Sequence, residues 1–281
     1  MDMPASFSPP RTSGRPLRIE EPLNKLLIHK ISLALLPRVI ATGIHPNWLS
    51  LMGLGCGLLG AYFYYQWADP LMAVAGFGAM LVWHIFDGLD GQVARATGRT
   101  SALGRVLDGV CDHGCYIAVY LALVFSSGAS ALTWILAVSA GIAHAVQAAW
   151  YEGERIGYQQ RLVGKAPQRA PITSTAGPIE TLYNKLQFRL SGHGRAIDDL
   201  LYAHPQARDR YAHAVEPILR AMTMFGPSTR TLLIFCASVA GQPQAFWLLE
   251  IFFFTVAAAI CALWLRSAEK MVVQQHKTMP H

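Results

Sequence analysis

The sequence predicts an all-α integral membrane protein with six transmembrane helices, an N-terminal interfacial helix and a cytoplasmic helical insert. Of its 281 residues, 53% are hydrophobic and 14% are charged, whereas a soluble domain carries about 25% charged residues. Long apolar segments alternate with short polar connections along most of the chain. Six spans of roughly 20 residues each fit within this length and leave room for one sizeable insert.

The apolar segments predict spans at 47–66, 70–95, 102–126, 130–151, 228–242 and 244–265. Asp69-Pro70 favours a helix start, because Asp caps the first turn of a helix and Pro suits its first position. The fifth segment is short, so its helix would cross a bilayer fully only if it began before residue 228.

Basic residues predict the orientation of these spans. Lys and Arg occur in residues 1–46, at 95–105, between 155 and 230 and after 265, and they are absent from the connections 66–69, 126–130 and 241–244. Cytoplasmic connections are enriched in Lys and Arg, so this alternation predicts that both termini lie in the cytoplasm. The same flanking residues explain the net charge of +6, and nucleic acid is not an expected partner.

The parts of the chain have the following predicted roles. Residues 1–17 are rich in Pro, Ser and Arg and are expected to be a disordered tail. Residues 18–46 carry an amphipathic pattern that predicts an interfacial helix ending near Pro37, although a helix packed on protein has the same pattern. Residues 47–151 hold the first four spans, 152–225 form the insert, 226–267 hold the last two spans, and 268–281 form a cytoplasmic tail.

Four carboxylates lie near the cytoplasmic ends of the second and third predicted spans. Asp87 and Asp90 are three residues apart and Asp108 and Asp112 are four apart, so each pair lies on one helical face. Ionisable groups within spans are costly and usually line a site. Facing carboxylates repel unless cations lie between them, and hard oxygen ligands select Mg²⁺ or Mn²⁺. The number of carboxylates suits two metal ions.

The residues around these carboxylates form a longer pattern. The stretch Asp87-Gly88-Leu89-Asp90-Gly91-Gln92-Val93-Ala94-Arg95 is followed by Gly104, Asp108 and Asp112. It resembles the signature of the CDP-alcohol phosphotransferase family, DxxDGxxARx8GxxxDxxxD, with every specified position present. Six spans and an interfacial N-terminal helix also resemble this family, whereas the insert at 152–225 falls outside the resemblance.

The resemblance implies roles for the matching residues. The residues implied to hold the metals are Asp87, Asp90, Asp108 and Asp112. Asp112 would also be the base that takes the proton from the acceptor hydroxyl. The residues implied to contact the CDP-linked donor are Asn47, Gly91, Ala94, Arg95 and Gly104, although a structural ion pair would also explain Arg95. The family further implies a homodimer surrounded by membrane lipids.

The implied reaction is metal-dependent transfer of a substituted phosphate from a CDP-linked donor to an alcohol acceptor, with release of CMP. The single compact motif and the available basic residues favour CDP-diacylglycerol and a small polar alcohol. CDP-choline or CDP-ethanolamine with diacylglycerol or ceramide is the alternative. An intramembrane prenyltransferase would need a second Asp-rich motif on a later span. An ion-coupled transporter would not require the glycines, Ala94 and Arg95 at fixed spacing.

Other polar residues are candidates for the same cavity. Four of them could equally find their hydrogen-bond partners within the protein core, namely His84, His144, Gln147 and Tyr151. Arg230 begins the fifth span and suits either a phosphate contact or a snorkelling anchor.

The insert is expected to border the site and to select the acceptor through Arg155, Arg161 and Arg169, with a peripheral or dimer-packing role as the alternative.

Overall fold

The computed structural model describes residues 19–166, 178–191 and 195–278, and every regular element in these ranges is helical. The α-helices are α1 (His29–Ala41), α2 (Pro46–Tyr65), α3 (Pro70–Ala96), α4 (Ala102–Ser126), α5 (Ala131–Val163), α6 (Pro178–Leu190), α7 (Ala196–Ala203), α8 (Arg208–Met222), α9 (Pro227–Val239), α10 (Pro243–Leu248) and α11 (Phe254–Thr278). Two π-helical turns join the series, Asn24–Ile28 before α1 and Leu249–Phe253 between α10 and α11.

Four helices within the described residues are long and apolar enough to cross a membrane, which indicates a membrane protein. They are Pro70–Ala96, Leu103–Ser126, Ala131–Val163 and the continuous helix Pro243–Thr278. The other two predicted spans also fall on helices, α2 and α9. With 13 residues, α9 is about 20 Å long, which is shorter than the roughly 30 Å hydrocarbon core of a bilayer.

The start of α3 follows from local sequence. The Asp69 carboxylate accepts a hydrogen bond of 2.9 Å from the Leu71 N–H, and Pro70 occupies the first helical position. Ser101 caps α4 in the same way, since its hydroxyl oxygen accepts the Gly104 N–H at 2.9 Å. These caps satisfy donors that the helix itself leaves unpaired.

Two helices continue beyond the boundaries predicted for their segments. The fourth span was expected to stop at 151, but α5 continues to Val163 and ends at Gly164, whose φ of 75° suits a helix C-terminus. The N-terminal helix was expected to end near Pro37, but α1 runs through it to Ala41. Leu36 on this last part of α1 is buried against residues of α3, and this packing compensates for the backbone hydrogen bond that proline removes.

The described part of the insert is attached to the bundle by buried ion pairs. Arg161 Nε on α5 lies 2.6 Å from Asp198 Oδ1 on α7, and its Nη1 lies 3.1 Å from Glu269 Oε1 on α11. Arg195 bridges Glu269 and Glu154, with both N–O distances 2.7 Å. Because Arg161 and its two partners are buried, the charge of Arg161 holds helices together and does not face an acceptor.

The same junction includes Tyr211 of α8. Its hydroxyl oxygen accepts a hydrogen bond of 2.8 Å from Arg161 Nη1. Burial raises the pKa of the Tyr211 hydroxyl, so the group stays protonated over the physiological pH range. Arg155, another candidate of the insert, lines the cavity described below, and Arg169 lies outside the described residues.

Candidate active site

Three of the predicted carboxylates converge. One oxygen from each of Asp87, Asp90 and Asp108 lies within 4.8 Å of the others. Two ionised carboxylates about 5 Å apart repel by roughly 3 kcal/mol at an effective dielectric constant of about 20. A hard divalent cation removes this repulsion and prefers such oxygen ligands, so this cluster could hold a divalent metal ion.

Small residues on α2 let the two carboxylate-bearing helices approach. A Cβ atom at Gly57 would lie 2.1 Å from the Cys115 Sγ of α4, and one at Gly60 would lie 3.1 Å from Met80 of α3. Larger side chains at these two positions would therefore push α3 and α4 away from α2. The close packing of α2 against both helices sets the separation of the carboxylates.

Ser50 of α2 is a site residue that the sequence did not reveal. Its hydroxyl donates a hydrogen bond of 2.5 Å to Asp90 Oδ2, and both residues are buried. This bond fixes one oxygen of Asp90 and leaves the other for the carboxylate cluster. A serine in an apolar helix carries no distinctive signal, because its partner lies forty positions further along the chain.

The carboxylates line a cavity of about 840 Å³, which is within the size range of small-molecule sites. Asp112 lines this cavity too, one helical turn beyond Asp108, although it is outside the three-residue cluster. Its position is therefore that of a close neighbour of the cluster.

The residues predicted to contact the donor fall into two groups. Gly91 and Arg95 line the cavity, and a Cβ at Gly91 would lie 3.1 Å from Arg95 Nη1. A Cβ at Gly104 would lie 3.3 Å from Asn47 Oδ1, so the starts of α2 and α4 are adjacent. Asn47, Ala94 and Gly104 are not among the lining residues of this cavity in the described part of the chain.

A polar layer ties α3 and α4 to α9 next to the carboxylates. His84 Nε2 lies 2.9 Å from Thr231 Oγ1, and the Tyr116 hydroxyl lies 3.1 Å from the same oxygen. Tyr116 also donates to the Pro227 carbonyl at 2.6 Å. His84 is one turn before Asp87 and Tyr116 is one turn after Asp112, so the layer supports both carboxylate pairs.

Arg230 neither snorkels nor extends to the surface. It is fully buried in α9 and lies 2.8 Å from Glu250 Oε1, which is also fully buried. Its other contacts are to the Phe225 carbonyl and to Gln147 Oε1, the latter at 2.9 Å. Glu250 was not identified from the sequence, although a single acid within the apolar run Phe246–Phe254 is a detectable signal.

The α5 face that lines the cavity changes in polarity along its length. Its first part is largely apolar, with Trp134, Val138 and Ala145, and its last part carries Glu152, Arg155 and Gln159. Ile117 and Leu121 of α4 continue the apolar wall. Ile117 and Val138 are 59% and 54% exposed, so the apolar part of the cavity reaches the outer surface of the helix bundle. The cavity therefore has one polar end and one apolar, laterally exposed end.

The region that carries this cluster is similar in sequence to known proteins. Residues 43–180 match the family described as CDP-alcohol phosphatidyltransferase. A phosphatidylinositol phosphate synthase from Mycobacteroides abscessus is 30% identical over 105 residues, which are 37% of this chain and 46% of that protein. An archaetidylinositol phosphate synthase from Pyrococcus horikoshii is 37% identical over 71 residues, 25% of this chain and 36% of that protein.

The matched regions cover less than half of each of these relatives. The family match includes the complete Asp87–Asp112 pattern and the carboxylate cluster that the structure brings together. Residues 43–180, about half of this chain, are therefore similar to a CDP-alcohol phosphatidyltransferase domain.

Proposed function

We propose that this protein transfers a phosphatidyl group from CDP-diacylglycerol to a small polar alcohol and releases CMP. The observation that carries this proposal is a carboxylate cluster of the family pattern at the polar end of a cavity whose other end is apolar and open to the side. A lipid with a charged head group fits such a cavity, because its acyl chains occupy the apolar end. The names of both relatives describe synthesis of an inositol phosphate lipid, which supports a polar alcohol as the acceptor.

The carboxylate cluster is the proposed metal site. Asp87, Asp90 and Asp108 would hold the ions, with Asp112 beside them, and Mg²⁺ or Mn²⁺ suits this all-oxygen donor set. Two bound ions would stabilise charge that develops on the diphosphate during displacement. Ser50 keeps Asp90 in its ligating orientation through their hydrogen bond.

The remaining roles follow the positions of the side chains. Asp112 accepts the proton of the acceptor hydroxyl, whose oxygen forms a bond to the lipid-linked phosphorus. The bond from this phosphorus to the bridging oxygen breaks, and CMP leaves with that oxygen. Arg95 contacts a phosphate of the donor. The family resemblance, and not their position, assigns Asn47, Gly91, Ala94 and Gly104 to the cytidine, and of these Gly91 lines the cavity.

The decisive experiment measures CMP release by purified protein in detergent or vesicles. CDP-diacylglycerol with a panel of polar alcohols should give CMP and a new phospholipid, and the reaction should stop when EDTA removes divalent cations. CDP-choline with diacylglycerol or ceramide is the comparison for the alternative donor class. CMP from that pair alone would reverse the assignment of the lipid to the donor. A transporter would release no CMP from any pair.

We further propose six spans, with both termini and the active site in the cytoplasm, and a homodimer as in the family. The alternation of basic and neutral connections supports this orientation. In this arrangement α2 and α9 cross the membrane with the four longer apolar helices. Because α9 is short, this arrangement requires the flanking turn Thr223–Phe225 and residues 240–242 to complete the crossing.

Cysteine labelling from each side of the membrane tests this orientation. Lys165 and Asp209 are exposed, so cysteines there should react with a membrane-impermeant maleimide only from the cytoplasmic side. Cysteines at the exposed positions Gln66 and Gln242 should react only from the opposite side. The background requires replacement of the five native cysteines, particularly the exposed Cys236. Labelling of Lys165→Cys and Gln66→Cys from the same side would exclude the six-span arrangement.

A further inference from the structure

The polar layer formed by His84, Tyr116, Thr231 and the Pro227 carbonyl has a fixed direction of hydrogen bonding. The Tyr116 hydroxyl donates to the Pro227 carbonyl at 2.6 Å, and a carbonyl only accepts. Because Tyr116 has no second hydrogen to donate, the bond of 3.1 Å between the two hydroxyls requires Thr231 to be the donor. Thr231 Oγ1 then accepts from His84 Nε2–H at 2.9 Å. All three bonds form together only in this direction, which also assigns the His84 proton to Nε2.

This fixed direction suits a structural link and not a proton relay. A relay needs a group at each end that gains and loses a proton, whereas the polar layer ends at a carbonyl. Thr231 has no exposed surface, and His84 and Tyr116 are 4% and 8% exposed. A buried network in which every bond is formed holds its side chains in one arrangement. The polar layer therefore fixes the relative positions of α3, α4 and α9.

The polar layer meets α3 and α4 close to the carboxylates. His84 precedes Asp87 by three residues and Tyr116 follows Asp112 by four, so each lies about one helical turn from a carboxylate. The Tyr116 ring also packs edge-on against Trp83 of α3, with the ring centroids 5.4 Å apart. A shift of His84 or Tyr116 would therefore move the helical turn that carries the adjacent carboxylate.

The first turn of α9 gives Thr231 a firm support. Arg230, the preceding residue, lies 2.8 Å from Glu250, and both of these side chains are fully buried. The Ser228 N–H of α9 donates to Glu21 Oε2 of the N-terminal segment at 2.9 Å. Two separate parts of the structure thus hold the start of α9, so the Thr231 hydroxyl has a defined position from which to hold α3 and α4.

We propose that Thr231 is a positioning residue for the metal site. Through Tyr116 and His84 it sets the separation between the turns that carry Asp112 and Asp87, and thereby the spacing of the carboxylate oxygens. Thr231 is not among the cavity-lining residues in the described part of the chain, so it acts through these helices and not by contact with a substrate. It also lies outside residues 43–180, so the family resemblance assigns it no role. The proposal rests on the metal-dependent transferase function proposed above.

The first test measures metal binding without turnover. Thr231→Val keeps the branched side chain and removes its hydroxyl, and Tyr116→Phe keeps the ring and removes its hydroxyl. Each should weaken Mn²⁺ binding about tenfold, the lower end of the loss that follows removal of an outer partner of a metal site. The electron paramagnetic resonance signal of free Mn²⁺ measures this binding in the absence of substrate. Thr231→Ser retains the hydroxyl and should bind Mn²⁺ within about threefold of the parent.

Ser238→Ala is the matched control. Ser238 is also buried in α9, but its hydroxyl donates to the Ile234 carbonyl of the same helix at 2.8 Å. Loss of this hydroxyl should leave Mn²⁺ binding within about twofold of the parent, whatever stability it costs. Thermal unfolding of each metal-free variant shows whether it is folded, and Tyr116→Phe provides the test if Thr231→Val is not. Mn²⁺ affinity in the folded variants equal to that of Ser238→Ala would overturn the positioning role.

The second test measures turnover at saturating Mn²⁺. In Thr231→Val, kcat should fall about 10–100-fold, because a small displacement of catalytic groups has effects of this size. The CDP-diacylglycerol KM should change by less than about threefold, because Thr231 contributes no surface to the cavity. The double variant Tyr116→Phe, Thr231→Val should lose less kcat than the product of the two single losses, since both singles break the same bond. A loss equal to that product, or an unchanged kcat in Thr231→Val, would overturn the role.

The two readouts separate this proposal from the proposed function. If the parent released no CMP from any donor and acceptor pair, the transferase function would fall, and the Mn²⁺ affinities of the variants would still decide the role of Thr231. Turnover by the parent together with parent-like Mn²⁺ binding in Thr231→Val would overturn the positioning role alone. A parent protein that binds no Mn²⁺ would overturn the metal site and the positioning role together.

Discussion

Asp108→Asn is expected to reduce turnover to background. The change removes one anionic ligand from a cluster in which three carboxylate oxygens lie within 4.8 Å of one another. The loss should exceed the roughly 10–100-fold that follows removal of an outer partner of a metal ligand. Ser50→Ala should show that smaller loss of turnover in the same protein, because Ser50 hydrogen-bonds Asp90 and is not itself proposed as a metal ligand.

Asp112→Asn distinguishes a metal ligand from a base. Loss of a general base typically lowers the rate by about 10²–10⁴-fold, but donor binding should persist, since it depends on the metals and the cavity. Asp108→Asn should lose both donor binding and turnover. The measurements are CMP release and binding of CDP-diacylglycerol, together with the thermal shift produced by Mg²⁺ or Mn²⁺. Full activity of Asp108→Asn at ordinary Mg²⁺ would contradict the assignment of the cluster.

Both Asn variants are expected to fold. Each removes a negative charge from a site where carboxylates repel in the absence of cations. The metal-free Asp108→Asn protein should therefore unfold at the same temperature as the metal-free parent or at a higher one. The parent and Asp112→Asn should gain substantial stability when the metal is added and Asp108→Asn should not, because binding to the folded state raises the unfolding temperature.

The carboxylate cluster was predictable because its information is local. Asp87 and Asp90 share one helical face by their spacing alone, as do Asp108 and Asp112, and the family resemblance joins the two pairs in one site. The membrane helices were equally predictable from the sequence, because length and hydropathy are properties of a single segment. Both kinds of signal need no knowledge of which distant segments meet.

The contacts that the sequence did not reveal depend on distant pairing. Ser50 acquires its role from Asp90, and Arg230 is buried only because Glu250 lies opposite it. Arg161 resembles any basic residue of a cytoplasmic loop until Asp198 and Glu269 are seen around it. Sequence periodicity identifies which residues are polar within apolar surroundings, but it does not identify their partners.

The continuation of α5 has a similar origin. Residues 152–163 are too polar for a membrane core, so hydropathy placed a boundary at 151. The helix persists because its polar side chains find partners, Glu154 in Arg195 and Arg161 in Asp198. Its end is set at Gly164, where a left-handed conformation closes the helix. Hydropathy thus marks the edge of a membrane segment, whereas backbone chemistry marks the end of a helix.

The largest effect on stability is expected when the Arg230–Glu250 pair is broken. Arg230→Met leaves the Glu250 carboxylate buried without its cation, and Glu250→Gln leaves the guanidinium without its anion. Loss of one partner from a buried pair costs about 3–5 kcal/mol of unfolding free energy. Denaturant unfolding in detergent measures this change. Arg266→Met is the control, because Arg266 is exposed on α11 and should alter stability by less than about 0.5 kcal/mol.

The double variant Arg230→Met, Glu250→Leu should recover part of the loss. It leaves no buried charge at this position, so the main penalty of the single variants disappears. Recovery remains incomplete, because the Phe225 carbonyl and Gln147 Oε1 both lose a donor when Arg230 is replaced. A double variant as unstable as the sum of the two singles would show that the two charges do not stabilise each other. A value between the parent and either single variant would establish that the charges are coupled within the membrane bundle.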